Sequence, residues 1–466
     1  MRWTLRIALL VVAALPLFAA PAKFEPYVFK AQDGQTLDAE LGSFSVPENR
    51  TKPNSRQLTL RFVRFKSTSA KPGHPIVYLA GGPGGSGIGA LTTGRFAIAM
   101  ALREFGDVIA YDQRGINRSE PDTRCTEEYM VAPGAPLERA SFGAAIADAV
   151  RRCASRLSTV DTTALNTREG AADLNDLRQA LGAQKLILWG ISYGTHLSIA
   201  TLRYHPEAID RVILAGIEGP DDTYKLPSDQ QTLLEEIARL APNRDLLASI
   251  NKLLRELEAR PKTVTLTDPL NGASADFVFG KLDLQRVLAD MLVGPDTFGA
   301  MPDLIARLEQ GDWTALGLAA GRGRFGTAPS LMSIAMDCAS GISAARTQRI
   351  AAEAKTTLLG DAINLPFPEV CAGLKFSEAD DAFRGPLNSN VPALLISGTL
   401  DGRTRPRQAE ELRMTMPNAQ HLVIVGAGHS DPLFLSSPKI LDAMKTFLRG
   451  ETIRERYIEL PPRGQG

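Results

Sequence analysis

Histidine and cysteine are scarce in this chain, five and four among 466 residues. The cysteines include no C-x-x-C pair and have no histidine close by, so the usual spacing of a zinc site is missing. Formal net charge is zero, with 52 basic and 52 acidic side chains, which removes the electrostatic case for a nucleic-acid partner or an anionic membrane surface. Internal repeats and low-complexity tracts are absent too, which excludes solenoids and biased segments. What remains is an ordinary globular composition, 44% hydrophobic and 22% charged, in a chain long enough for a large core and more than one compact unit.

The start of the chain reads as an address. Arg2 and Arg6 precede or flank an apolar run at 7–18 that is too short to span a bilayer, and Ala20-Pro21-Ala22 offers small residues at cleavage spacing. Residues 1–22 are therefore expected to be a secretory signal peptide; no cysteine follows the run to serve as a lipid anchor. The expected location is the periplasm or the medium, with no stable membrane anchor after cleavage. Export makes disulfides the natural state of the four cysteines, and neighbours in sequence favour Cys125–Cys153 and Cys338–Cys371 over free buried thiols. Each bridge closes a loop of about 30 residues, which stabilises by about 3–4 kcal/mol in the loop-entropy model.

Along the chain, short apolar strands alternate with helical spacing. Strands are expected near 58–62, 75–79, 107–111, 185–189 and 211–214, with helices at 96–105, 169–181 and 195–204. That alternation implies a parallel sheet covered by helices on both faces. After Glu218 the pattern turns to amphipathic helices (231–240, 244–257, 284–292, 301–308), interrupted by a hairpin around Asn271-Gly272. The alternating pattern resumes with strands at 391–397 and 422–425 and helices at 408–416 and 439–448, and the tail from Glu459 reads as frayed. The insertion reads as a lid over the edge where the strands end.

The strand at 185–189 runs into Gly190-Ile191-Ser192-Tyr193-Gly194, and a helix follows. A G-x-S-x-G turn between strand and helix lifts a serine hydroxyl above the sheet, toward the positive end of the helix. A hydroxyl needs a base to take its proton, and the base needs an anion to hold its tautomer. In chains with this elbow the order is serine, acid, histidine. His74, His196 and His205 come too early, and His421 opens a strand, roughly 15 Å from the edge where reactive groups collect. His429, in a Gly-Ala-Gly-His-Ser turn beyond that strand, is the expected base. Asp401, in the Asp-Gly turn after the preceding strand, is the expected acid, with Asp431 in reserve. The oxyanion donors are expected to be the N–H groups of Tyr193 and of Gly82, the latter in the glycine-rich loop 80–87. That loop has no Gly-Lys-Ser/Thr to cradle a phosphate. Asp112-Gln113-Arg114-Gly115 is expected to be a turn held by an Arg–Asp pair.

Gly81–Gly87, Asp112–Gly115, Trp189–Gly194, Asp401-Gly402 and Gly428-His429 together resemble the proline iminopeptidase and tripeptidyl aminopeptidase group of serine α/β-hydrolases. Proline iminopeptidases usually carry histidine where this chain has Ala80 and glycine where it has Asn117. The secreted tripeptidyl aminopeptidase-like members more often show Leu-x-Gly-Gly-Pro-Gly-Gly-Ser-Gly, as 79–87 does, with lid cysteines like Cys338 and Cys371. The resemblance implies an α/β-hydrolase core at 23–217 and 391–466, a mainly helical lid at 218–390, and no cofactor or metal. It also implies a peptide substrate with a free N-terminus. A charged ammonium buried under a lid needs a carboxylate partner, for which Glu218 and Asp337 are the expected groups. The same triad would serve a carboxylesterase or lactonase acting on a small acyl substrate, and a hydrolase fold can also be kept for binding alone. Neither the number of residues released, nor a proline preference, nor the oligomeric state is written in any motif.

Overall fold

The apolar runs of the sequence become the middle of one sheet. The computed structural model describes residues 20–240, 245–267 and 274–461. In chain order the strands are β1 (Lys23–Lys30), β2 (Thr36–Pro47), β3 (Gln57–Phe65), β4 (Ile76–Leu79), β5 (Val108–Asp112), β6 (Glu128–Met130) and β7 (Leu186–Ser192). They continue with β8 (Ile209–Ile217), β9 (Lys262–Thr267), β10 (Ser274–Phe279), β11 (Phe325–Thr327), β12 (Ala393–Gly398), β13 (Ala419–Val425) and β14 (Tyr457–Glu459). Ten of them form a sheet in the order β1-β2-β3-β5-β4-β7-β8-β12-β13-β14. The pairs from β1 to β5 are antiparallel, and every pair from β5 to β14 is parallel. The chain order reverses around β4, which puts the crevice at the carboxyl ends of β4, β5 and β7.

The central strands are apolar throughout because both faces are covered. On β7, Leu186 and Leu188 join one core with Leu174 and Leu197, while Ile187, Trp189 and Ile191 join the opposite core with Phe96 and Phe434. The edge is written differently: β1 carries Pro26 and alternates with exposed polar residues, so it shows no apolar run. Neither β1 nor β2 was expected. The helix Arg139–Arg156 was not expected either, although Phe142, Ile146, Val150 and Cys153 form its buried face. At the other edge β14 pairs with β13, so Glu459 belongs to a strand and not to a frayed tail.

Between β8 and β12 the chain is mostly helical, including Pro227–Leu240, Leu246–Ala259, Lys281–Met291, Met301–Glu309, Leu331–Ser340 and Ala344–Glu353. Leu233, Leu253, Leu288 and Ile305 centre a core of their own. The helix Leu331–Ser340 behaves otherwise: Met332, Ile334 and Met336 pack into the core that also holds Tyr193 and Leu197. β9 and β10 pair antiparallel, with the expected Asn271-Gly272 turn outside the described residues. The expected signal segment lies outside them as well, except for Ala20–Ala22. Cys125–Cys153 and Cys338–Cys371 are bonded, at 2.05 and 1.97 Å. Among the described residues no helix is long and apolar enough to cross a membrane.

The Asp112-to-Arg114 turn is not held by those two residues pairing. Asp112 accepts from the Ser86 hydroxyl (2.6 Å), the Ile88 amide (3.1 Å) and Asn117 Nδ2 (2.8 Å). Arg114, fully buried, forms two 2.7 Å bonds to Asp173 and donates to the carbonyls of Glu48 and Ala164. The turn after β5 is thereby fixed to the helix Thr167–Ala180. Removing one partner of a buried pair strands the other charge, so Asp173→Ala should cost about 3–5 kcal/mol in urea unfolding. A loss below about 1 kcal/mol would show that Glu169 alone can hold the guanidinium.

Candidate active site

β7 ends at Ser192, whose backbone sits at φ 53°, ψ −125°, and the helix Tyr193–Tyr204 begins at the next residue. A positive φ on a non-glycine residue costs about 1–3 kcal/mol and persists only where the surroundings enforce it. They do so here by crowding. A Cβ on Gly194 would run into the carbonyl of Leu79 on β4, and one on Gly190 would lie 2.7 Å from the carbonyl oxygen of Gly194. The register against β8 slips at this point: Ile191 pairs with Ala215 but Ser192 pairs with Ile217. The residue left over is Gly216, at φ 58°, where a Cβ would stand 2.9 Å from Thr404 Oγ1 and 3.1 Å from His429 Cε1. The missing side chain is the space that the imidazole and its neighbour occupy.

His429 and Asp401 meet in the turns that follow β13 and β12. His429 Nδ1 lies 2.8 Å from Asp401 Oδ2. Asp401 is buried and also accepts from the Thr404 hydroxyl and from the amides of Thr404 and Arg403, each at 2.8 Å. Burial alone would raise its pKa, but the His429 ring and these hydrogen bonds outweigh burial and hold the carboxyl below its usual value. An ionised carboxylate only accepts, so the ring proton belongs on Nδ1 and the lone pair on Nε2. The His429 amide is held by the carbonyl of Val293 in the inserted segment (3.2 Å).

Ser192 and His429 line one cavity of about 570 Å³, together with Gly81, Gly82, Glu218, Asp337 and Arg403. The Ser192 carbonyl accepts from Thr195 Oγ1 at 2.7 Å, whereas its hydroxyl has no hydrogen-bond partner among the described residues. The hydroxyl is thus free to turn toward the ring or toward an incoming carbonyl; such bonds often tighten only when substrate is bound. Gly81 stands over the serine, since a Cβ there would lie 2.9 Å from Ser192 Cβ. The loop that carries Gly82 is pinned by Ser333 Oγ donating to the Pro83 carbonyl (2.8 Å) and by Ser86 on Asp112. Tyr193 is the first helical residue, where backbone N–H groups have no intrahelical acceptor.

The two acids expected to meet an ammonium differ. Glu218 is already bound by Lys225 Nζ at 2.6 Å, so its charge is compensated within the protein and it is not the free partner expected of it. Asp337 has no side-chain hydrogen bond among the described residues; burial first, and then the nearby Glu218 charge, push its pKa well up. Asp431, the reserve acid, pairs with Arg95 (2.5 Å) and not with His429. His421 bridges Glu410 and Ser397 (2.5 and 2.8 Å), and His196 bridges the Gly219 carbonyl and Ser340. Cys125 and Cys153 approach Glu127, but their sulfurs are joined to each other, which leaves no thiolate for a metal. Thr404, Gly216, Arg95 and Lys225 were missed. Thr404 had a readable signal, since an aspartate that opens a turn commonly binds groups two and three residues on.

A ten-stranded, mostly parallel sheet with a serine elbow at its switch point defines the class. The model of the alpha/beta hydrolase fold matches residues 74–434, and the chain belongs to that family. Among curated proteins it is similar to serine protease Hip1 of Mycobacterium tuberculosis, 29% identical over 191 residues, which is 39% of this chain and 36% of that one. It is also similar to tripeptidyl aminopeptidase of Streptomyces lividans, 26% identical over 211 residues, or 42% of this chain and 39% of that one. The chain thus spans well under two thirds of the length of these relatives. Among solved structures, a malate-bound esterase from Thermogutta terrifontis aligns over 87% of this chain and 98% of its own, at 17% identity and a TM-score of 0.39.

Because Gly216 makes room for the imidazole, Gly216→Ala should lower kcat/KM at least about tenfold on every substrate, with an unchanged far-UV circular dichroism spectrum. Undiminished turnover would mean that the ring does not depend on that gap.

Proposed function

We propose that the protein is an exported serine peptidase of the aminopeptidase type, releasing residues from a free N-terminus. The observation that carries this is the contact of His429 with Asp401 beside the cavity that Ser192 and His429 line, with Asp337, a carboxyl that has no side-chain hydrogen bond among the described residues, lining the same cavity. The peptidase names of the curated relatives support it, and the N-terminal apolar run and two disulfides support export.

Ser192 Oγ attacks the scissile carbonyl while its proton passes to His429 Nε2. Asp401 steadies the imidazolium, and the N–H groups of Gly82 and Tyr193 hold the oxyanion. The tetrahedral species collapses to an acyl-enzyme as the leaving amine takes the proton back from His429, and water then repeats the sequence. The substrate ammonium pairs with Asp337, and the Glu218–Lys225 pair beside it takes up a supporting place.

The test is a panel of peptides with free and N-acetylated termini, alongside short acyl esters, with fluorophosphonate labelling of Ser192 as the check on chemistry. Cleavage of free-terminus peptides over acetylated ones is expected. Turnover of esters only would replace the aminopeptidase with a carboxylesterase or lactonase, and failure of Ser192 to label in folded protein would leave a binding role.

Asp337→Asn removes one charge-assisted contact, so KM for free-amine peptides should rise about 10–100-fold, with little change for neutral esters. The wild-type pH profile carries the same mark. Asp337 is neutral below its raised pKa and charged above it, so kcat/KM for free-amine peptides should climb through a further ionisation above the ordinary carboxylate range. Neutral esters should lack that limb; identical profiles would remove Asp337 from the ammonium site.

A further inference from the structure

Three arginines follow Asp401 in close succession, and two have full partners. Arg405 makes a forked contact with Glu236 (2.8 and 2.9 Å), and Arg407 reaches Asp229 at 2.9 Å. Arg403 does not. Its nearest acid is Asp290 at 3.9 Å, itself 60% exposed, and its guanidinium has no hydrogen bond among the described residues. Its side chain is only 32% exposed and lines the cavity with Ser192 and His429. Burial pulls its pKa below the usual arginine value, as happens to a charge short of partners, yet a guanidinium stays protonated in proteins. The site therefore holds a permanent cation with unused donors.

Its place in the cavity says which part of a substrate it meets. The Arg403 amide donates to Asp401, so the residue is tied to the histidine side of the site. Asp337 enters the same cavity from the helix Leu331–Ser340, whereas Arg403 enters it from the turn after β12, so the two charged groups come from different elements. In acyl transfer the imidazole hands its proton to the departing nitrogen, so the leaving fragment lies against the histidine side.

We infer that Arg403 receives a carboxylate carried by the leaving half of the substrate. Guanidinium and carboxylate match as a planar fork, which fixes orientation as well as charge. The inference rests on the aminopeptidase assignment and sharpens it: the substrate is a short peptide whose leaving fragment ends in a free α-carboxylate, or a longer one with an acidic first leaving residue. No bond to Arg403 forms or breaks. The C–N bond breaks, Ser192 Oγ takes the acyl carbon, and the proton from His429 goes to the nitrogen of the fragment that Arg403 holds.

The experiment compares three peptides with one acyl half and a free N-terminus, whose leaving residue is alanine with a free carboxylate, alanine amide, or aspartate amide. Wild type should favour one or both carboxylate-bearing leaving groups over alanine amide by at least about tenfold in kcat/KM, and the favoured member separates the two sources. In Arg403→Gln the ratio should fall toward one, and Arg403→Lys should keep part of it. The ratio is read within each variant, so a smaller folded fraction does not alter it. A wild-type ratio near one, or a ratio that survives Arg403→Gln, overturns the assignment. Where no amide is cleaved but esters are, the aminopeptidase assignment fails by itself. The same ratio is then read on acyl esters whose alcohol carries or lacks a carboxylate: a preference lost in Arg403→Gln supports the site, and no preference removes it.

Discussion

The site depends on a steric constraint: three backbone segments converge on Ser192 more closely than side chains allow. β4, β7 and the start of the helix Tyr193–Tyr204 touch through Gly190 and Gly194, and Gly81 presses on the serine from the loop beyond β4. The serine answers with a positive φ that it would not adopt in a free chain. Because strain is held by packing, the hydroxyl, the first helical N–H and the glycine loop are placed together and cannot relax one at a time. The bulge at Gly216 extends the same constraint to the next strand, where it clears space for the ring of His429.

Charge is distributed on a complementary principle. Burying a charge without a partner is costly, and most buried charges here are paired inside the protein. Arg114 has Asp173, Arg95 has Asp431, Glu218 has Lys225, and Asp401 has four donors. Among the described residues Asp337 and Arg403 are left short, and both line the cavity that holds Ser192. Deficits of that kind are tolerated where a ligand supplies the missing partner.

Much of this was legible in the sequence, for reasons that also explain what was not. The elbow could be read because glycines, an apolar strand and a following helix are local signals. Strand ends and chain order narrowed the candidates among few histidines to Ser192, Asp401 and His429, and the contact between the last two is the part of that choice seen in the structure. Partnerships across the fold leave no such trace. Arg114 meets Asp173 from 59 residues away, where the sequence suggested its neighbour Asp112. Lys225 folds back on Glu218 across a turn that no periodicity marks, so one of the two expected acids is already occupied. The edge strand β1 was hidden by Pro26 and its solvent-facing residues, whereas the helix Arg139–Arg156 carries a readable stripe at Phe142, Ile146, Val150 and Cys153 that was passed over.

The helix Leu331–Ser340 joins these themes, because it belongs by sequence to the insertion and by packing to the sheet's core. Its Ser333 holds the Pro83 carbonyl of the glycine loop, Met336 touches the Tyr193 hydroxyl, and Ser340 reaches both His196 and Thr167. Cys338 is bonded to Cys371, which ties the helix to the rest of the insertion. Asp337 lies on this helix, so the carboxyl that would receive an ammonium is fixed to the elements that would hold the oxyanion. An extended chain advances by at most about 3.3–3.6 Å per residue. On the proposed reading, a fixed separation between Asp337 and Ser192 would select how many residues lie between the N-terminus and the scissile bond. The length of the released fragment would then be a property of one helix's seating on the core.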